Sequence, residues 1–241
     1  MRCRSLTSTK SAVRLRAEGL EGSGLGALCP DTEANDLANT DVPPSIKSRP
    51  VYAVLQPRTG QRHLIMADGE GAGAVLDLLA TVPDRAAMLA AAHIMYAPGP
   101  NGIDQAADLQ ALGAAQFYRA PTIAAMLPRI VRVLQGAHMG TQFYLAGTEG
   151  LIGQAEREIM ATGFPHAAVQ KEHRGSTVRR VQCVHCKGVT ENVRIDPFAC
   201  GHCGLDLYVR DHYSRRIAAF QGVNIDAEDP GVVPAAVERF K

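Results

Sequence analysis

The sequence predicts an α/β protein in two parts: a three-layer domain on a parallel sheet, then a small β ribbon closed around a metal ion. Three observations carry this expectation. Short apolar runs alternate with helical stretches between about residues 50 and 170, the pattern of a parallel sheet covered by helices on both faces. Two Cys-x2-Cys pairs follow, Cys183-Val184-His185-Cys186 and Cys200-Gly201-His202-Cys203, thirteen residues apart. Each pair can bite one edge of a metal, and the intervening loop brings the edges together. The segments beside the cluster, Thr190–Ile195 and Leu205–Val209, alternate like strands on which two cysteine knuckles sit.

In chain order, residues 1–49 read as a disordered or partner-wrapping leader, rich in Gly, Ser, Thr, Asn and Asp and ending in Val42-Pro43-Pro44-Ser45. An α/β domain is expected over 50–176. It starts with a short strand at Val51–Leu55, a turn at Pro57–Gly60 and a buried strand at His63–Ala67. A Gly-rich turn, Asp68-Gly69-Glu70-Gly71-Ala72-Gly73, precedes a helix over Ala74–Ala80. Next come a strand at His93–Ala97, a helix at Asp104–Leu112, a strand at Ala115–Tyr118 and a helix at Pro121–Leu134. The stripe Ile123, Leu127, Ile130, Val131 and Leu134 is core at helical spacing. A strand at Gln142–Ala146 and a helix to about Thr162 complete the alternation, and polar residues Lys171–Ser176 read as a linker. The ribbon and a charged extension are expected over 177–220, and an extended tail, acidic around Asp226–Asp229, over 221–241.

Bulk properties narrow the function classes. The 241 residues carry a formal charge of +1 and no tryptophan, which argues against bulk electrostatic binding of nucleic acid. No apolar run approaches the ~20 residues that span a bilayer. The basic segment Met1–Arg16 lacks the apolar core of a secretory signal. Cys3 and Cys29 lie far from the cluster, and a reducing, cytoplasmic compartment suits the thiolates best.

For chemistry, Cys183, Cys186, Cys200 and Cys203 are expected to hold one ion as a closed four-thiolate set. Zinc is favoured because nothing else suggests a redox role. Iron, as in a rubredoxin-like electron carrier, uses the same ligands. Four thiolates leave no open position for a substrate. His185 and His202, inside the knuckles, are expected to be exposed or to hydrogen-bond near the cluster. Gly69, Gly71 and Gly73 have the position of a phosphate cradle, but Asp68 and Glu70 put carboxylates in it, so a sterically tight turn is the favoured reading of the glycines and no cofactor is expected there. Arg210, His212, Tyr213, Arg215 and Arg216 crowd one short segment with the residue types of a partner-binding surface. No nucleophilic triad or G-x-S-x-G is readable, so no catalytic residue is expected. Glu156 and Glu158 read as solvated helix positions.

Two resemblances follow from these residues. From His63 to Ala168 the order is similar to the NAD-binding half of the ferredoxin-reductase family, with Asp68–Ala74 in place of its Gly-rich cofactor turn. Tyr144-Leu145-Ala146-Gly147-Thr148-Glu149-Gly150 stands where that family has an aromatic strand and Cys-Gly-Pro. Ala146 replaces the cysteine, Ala97-Pro98-Gly99 lacks the arginine, and the upstream flavin barrel is missing. The departures imply a scaffold retained and a redox site lost. The run from Cys183 through Lys187, and from Leu207 to Arg216, resembles the small accessory (gamma-type) subunit of bacterial dimethylamine monooxygenase. That resemblance implies a haem-binding subunit that demethylates dimethylamine to methylamine and formaldehyde. It also implies a reductase subunit with flavin (FMN) and an iron–sulfur cluster that draws electrons from NAD(P)H. Those cofactors would sit in the partners and not in this chain, which alone is expected to have no turnover. Nucleic-acid binding by the ribbon is the remaining rival.

Overall fold

The computed structural model describes residues 49–99 and 102–241. The leader lies outside the described residues except for Arg49, as do Cys3 and Cys29. The first part is a parallel five-stranded sheet. Its strands are β1 (Arg62–Asp68), β2 (Ala92–Ala97), β3 (Gln116–Arg119), β4 (Thr141–Gly147) and β5 (Val169–His173), in the order β3-β2-β1-β4-β5. The order reverses between β1 and β4, the place where sheets of this kind open a crevice at their carboxyl ends.

Helices α1 (Gly71–Thr81), α2 (Arg85–Ala90) and α3 (Ala106–Ala111) cover one face, over Ile65, Ile94, Tyr96 and Tyr144. Helices α4 (Ile123–Leu134) and α5 (Glu149–Ala161) cover the other, over Leu64, Met66, Phe143 and Leu145. Successive side chains of a strand point to opposite faces, and residues 64–67 of β1, 94–97 of β2 and 143–146 of β4 are continuously apolar. Each is buried on both sides. Side-chain caps start the helices: Thr122 accepts from Ala125 N (3.1 Å) and Thr148 from Leu151 N (3.4 Å).

Several local expectations are corrected. Residues 51–55 form no strand. They run extended beside β5, where Ala53 N donates to Lys171 O (2.9 Å) and Leu55 N to the Glu172 carboxylate (2.8 Å). The polar segment read as a linker from Lys171 is in its first half the edge strand β5. Its charges are matched, Lys171 to Glu156 at 2.8 Å and Glu172 to Arg174 at 2.7 Å. Glu156 is accordingly buried and not solvated. In α4, Val131 faces solvent, while Met126 and Val133 join Ile130 and Leu134 in the core.

The second part is a five-stranded sheet. Strands β6 (Arg179–Cys183), β7 (Val189–Val193), β9 (Phe198–Ala199), β10 (Asp206–Ser214) and β11 (Ala219–Asn224) lie in the order β7-β6-β11-β10-β9. β8 (Ile195–Asp196) pairs with β12 (Val237–Glu238) as a separate ladder. Residue 220 falls inside β11, and Phe240, close to the end of the chain, packs into the ribbon core. That core is small: Val181, Val193, Phe198, Leu207, Val209, Tyr213, Phe220 and Phe240 with two of the cysteines. Arg179 lies between the Phe220 and Phe240 rings, its guanidinium 4.0 and 4.3 Å from their centroids, and pairs with Asp211 at 2.7 Å.

The ribbon is seated on α5. Tyr213 projects onto Gly153, where a Cβ would lie 2.0 Å from its hydroxyl and 3.1 Å from Ala218 Cβ. A helix position without a side chain is what admits the tyrosine ring.

Candidate metal centre

The two knuckles have the same backbone. Cys183 N donates to Gly188 O (2.9 Å) and Cys200 N to Leu205 O (2.8 Å). Lys187 N donates to Cys183 O and Gly204 N to Cys200 O, each at 3.0 Å. The residue after each second cysteine has positive φ, +64° at Lys187 and +76° at Gly204, a region that L side chains other than Asn and Asp seldom enter. These turns aim both sulfurs of a knuckle the same way, and Cys183 and Cys200 are held in the ribbon core while Cys186 is exposed. The knuckles also touch: the His202 ring covers Gly188, where a Cβ would meet it at 2.5 Å, and His202 Nε2–H donates to Val189 O at 2.9 Å. His185 is exposed. Both histidines stand where they were expected, at or beside the cluster.

The four sulfurs lie within 4.8 Å of one another. Two edges span the knuckles, Cys186 to Cys200 at 3.7 Å and Cys183 to Cys203 at 3.9 Å. Four sulfurs bound tetrahedrally at ~2.3 Å from an ion stand roughly 3.8 Å apart, so the set has the dimensions of a metal-thiolate site. Electrostatics agree. Against the cost of burial, the N–H groups of Cys203 and His202 and the neighbouring thiols draw the Cys200 thiol down to about 6. The Leu205 N–H favours the Cys203 thiolate, yet burial and the other three sulfurs push that thiol up to about 12. Four sulfurs this close cannot all be anions unless a cation sits among them. Among the described residues this is the only group of three or more His, Cys, Asp or Glu side chains close enough to share an ion.

The extension proposed from sequence as a partner surface is divided by the pleat of β10. Arg210 and His212 are exposed on its outer side, and Arg215 and Arg216 are exposed in the turn to β11. Tyr213 points the other way and is buried between Phe220, at 5.0 Å centroid distance, and Gly153. Sequence reasoning missed Arg179, Asp211 and Phe240, whose spacing along the chain gives no sign that they meet.

At the switch point, the Gly-rich turn is sterically tight. Gly69 has φ +46° and abuts Gly99, and a Cβ on Gly71 would lie 2.3 Å from Ala146 O. The Asp68 carboxylate bridges the ends of β1 and β4, accepting from Thr148 N (2.8 Å) and Thr148 Oγ1 (2.7 Å). Burial pushes this carboxyl up to about 6, against the Thr148 bonds that favour the anion. Gly73 borders Arg174, which pairs with Asp77 at 2.7 Å, and Gly175 passes beside the Glu70 side chain. The linker Arg174–Ser176 thus lines the same small cleft as Gly69, Glu70 and Thr148.

Residues 44–169 match the family described as dimethylamine monooxygenase subunit DmmA-like, N-terminal domain. Residues 180–223 match the corresponding C-terminal domain. A heme-dependent oxidative N-demethylase delta subunit from Ectopseudomonas mendocina (strain ymp) is 29% identical over 116 residues, which span 47% of this chain and 66% of that protein. Among solved structures, phthalate dioxygenase reductase is similar over 60% of this chain and 46% of its own, at 14% identity and a TM-score of 0.36. The flavohem-like FAD/NAD binding domain of nitric oxide dioxygenase from Vibrio cholerae O1 biovar El Tor matches over 49% of this chain and 53% of its own, at 18% identity and a TM-score of 0.32. With both of its domains matched over more than half of the sequence, the chain belongs to the family of DmmA-like dimethylamine monooxygenase subunits.

Proposed function

We propose that this chain is a non-catalytic accessory subunit of a heteromeric haem-dependent monooxygenase that uses NAD(P)H and O2 to convert dimethylamine to methylamine and formaldehyde. Its role is positional: it holds a haem-binding subunit and a flavin (FMN) and iron–sulfur subunit in fixed register. Family membership supports the setting. The single observation that carries the role is the closed set of four sulfurs on a ribbon seated firmly on α5. Four thiolates saturate a tetrahedral ion, so the site serves as a cross-link and offers no place for substrate.

Zinc fits the donor set and would supply folding free energy to a ribbon with a small core. Cys183, Cys186, Cys200 and Cys203 would hold it, and the Gly188 N–H, 3.4 Å from Cys186 Sγ, shares the thiolate charge. The docking face is the exposed set Arg210, His212, Arg215 and Arg216, with buried Tyr213 anchoring the segment that carries them. A preformed face loses less entropy on association than a mobile one. The cleft at the switch point lies under the linker, is lined by both Glu70 and Arg174, and has Asp68 buried behind it on Thr148, so it offers no uniformly positive cradle for a pyrophosphate. The division into an α/β domain over 50–176 and a ribbon that begins at 177 belongs to this proposal, the ribbon continuing past 220 through β11 to Phe240. So does a cytoplasmic location. Among the described residues no helix is long and apolar enough to cross a membrane.

The test is reconstitution with the purified haem and flavin/iron–sulfur subunits, reading formaldehyde and complex mass. The chain alone should give no formaldehyde, and its omission should abolish both complex and turnover. Charge reversal at Arg210, Arg215 and Arg216 should weaken assembly without unfolding the ribbon. Demethylation by the isolated chain, or an intact active complex without it, would overturn the proposal. An iron–thiolate absorbance band bleached by reductant would instead make the ribbon an electron carrier.

A further inference from the structure

We infer that Cys186 is an oxidation site, at which a hydroperoxide drives formation of a Cys186–Cys200 disulfide across the two knuckles and release of the bound metal. The inference rests on the zinc reading above and goes beyond it. Two observations on the cluster carry it, one of exposure and one of distance.

The cysteine residues are unequal in access. Cys186 is exposed, Cys203 is half-buried, and Cys183 and Cys200 are 1% and 3% exposed. Oxidant reaches a thiolate according to its accessibility, so attack begins at Cys186. The Cys200 sulfur is sheltered from solvent but lies 3.7 Å from that of Cys186. It is therefore placed as the resolving thiolate. A buried sulfur that touches an exposed one is attacked by its neighbour's oxidised form before it meets peroxide itself.

The chemistry balances in two steps. The Cys186 thiolate attacks one peroxide oxygen, the O–O bond breaks, and the products are a sulfenic acid and hydroxide. The Cys200 thiolate then attacks the Cys186 sulfur, the S–O bond breaks, and a second hydroxide leaves as the S–S bond forms. The two sulfurs together lose two electrons, and hydrogen peroxide takes them up and leaves as two hydroxides, which the buffer protonates to water. Closing the bond shortens the edge from 3.7 Å to about 2.05 Å. Only Cys183 and Cys203 then remain as thiolates, too few to retain the ion tightly.

The disulfide would tie one knuckle to the other, so the sequence Cys183-Val184-His185-Cys186 stays tethered to the second knuckle after the metal leaves. Thiol reductant and zinc together restore the site. Oxidation would therefore be a reversible signal read by whatever grips the ribbon.

The test uses the full chain without substitution. Zinc content is measured first, and a chain purified without stoichiometric zinc would sink the zinc reading itself. Zinc-loaded chain is then treated with less than one equivalent of hydrogen peroxide, trapped with iodoacetamide and mapped by mass spectrometry, while a chromogenic chelator reads free zinc. The expected first product is a Cys186–Cys200 disulfide, accompanied by the loss of one zinc per oxidised chain and reversed by dithiothreitol with zinc. A first disulfide within one knuckle, a first disulfide between Cys183 and Cys203, or four cysteines that keep both zinc and alkylatable thiols would each overturn the inference.

Discussion

Alanine at Gly153 should loosen the ribbon from the α/β domain, although the substitution favours the helix. Two opposing terms set the size of the effect. In an isolated helix, Gly→Ala stabilises by about 1 kcal/mol. Here the new methyl would lie 2.0 Å from the Tyr213 hydroxyl, 3.3 Å from Tyr213 Cζ and 3.1 Å from Ala218 Cβ. The tyrosine is buried against Phe220 and cannot swing away freely. Overpacking of this kind costs about 1–3 kcal/mol, and a contact this short belongs at the upper end. The net destabilisation should be about 2 kcal/mol, or roughly 4–8 °C in melting temperature for a chain of this size. Tyr213→Phe removes the oxygen that the methyl would strike. In the double variant the two changes should therefore be less harmful together than their sum, with a coupling of about 1–2 kcal/mol. Urea and thermal unfolding of the zinc-loaded chain reads all four states of the cycle. A Gly153→Ala chain more stable than the parent, or additive effects in the cycle, would refute the reasoning.

Other sites give sharper, smaller outcomes. Asp68 has its carboxyl raised to about 6 in the folded chain, above the ~3.9 of an unfolded one. Its contribution to stability is thus greatest at acid pH and is lost as the pH rises through 6, by on the order of 3 kcal/mol in all. Because the loss runs from about pH 4 to just above pH 6, the stability difference between the parent and Asp68→Asn should shift by on the order of 1 kcal/mol between roughly pH 5 and 7.5; measured as a difference, it cancels the acid lability of the thiolates, and a flat difference contradicts it. Gly204→Ala places a methyl in open space but at φ +76°, so about 1 kcal/mol of backbone strain should appear with no steric clash; unchanged unfolding would remove the matched-knuckle explanation. Arg179→Ala removes the 2.7 Å ion pair to Asp211, whose approach to Arg49 is longer at 3.9 Å, and empties the gap between two phenylalanine rings. The loss should be about 3 kcal/mol, checked by urea denaturation, and an effect under about 1 kcal/mol would class the pair with surface bridges.

The central strands, buried on both faces, were legible in the sequence, and the edge strand β3 was legible through its aromatic pair Phe117-Tyr118. β1, β2 and β4 are runs of apolar residues, and no solvent-facing set interrupts them. β5 and β6 escaped because edge and ribbon strands carry charge inside them: Lys171 and Glu172 in one, Arg179 and Arg180 in the other. Their partners come from distant segments, Glu156 on α5 and Asp211 on β10, and a local pattern cannot reveal them. α2 was missed because it is short and buries only Met88 and Leu89, though Asp84 capping Ala87 N marks its start. The four-cysteine cluster was legible because the spacing of two Cys-x2-Cys pairs is written along the chain itself. The opposite placement of Tyr213 and His212 is the period-2 alternation of β10, hidden by reading the segment as an irregular extension.

The most direct measurement is hydrogen exchange on the full chain before and after complete removal of its metal. If the ion holds the ribbon in shape, amides of β6, β7, β10 and β11 should lose most of their protection, while β1, β2 and β4 keep theirs. Adding zinc back should restore the pattern at one ion per chain. Equal protection of the ribbon strands with and without metal would contradict metal-templated folding, and with it the rigid docking face.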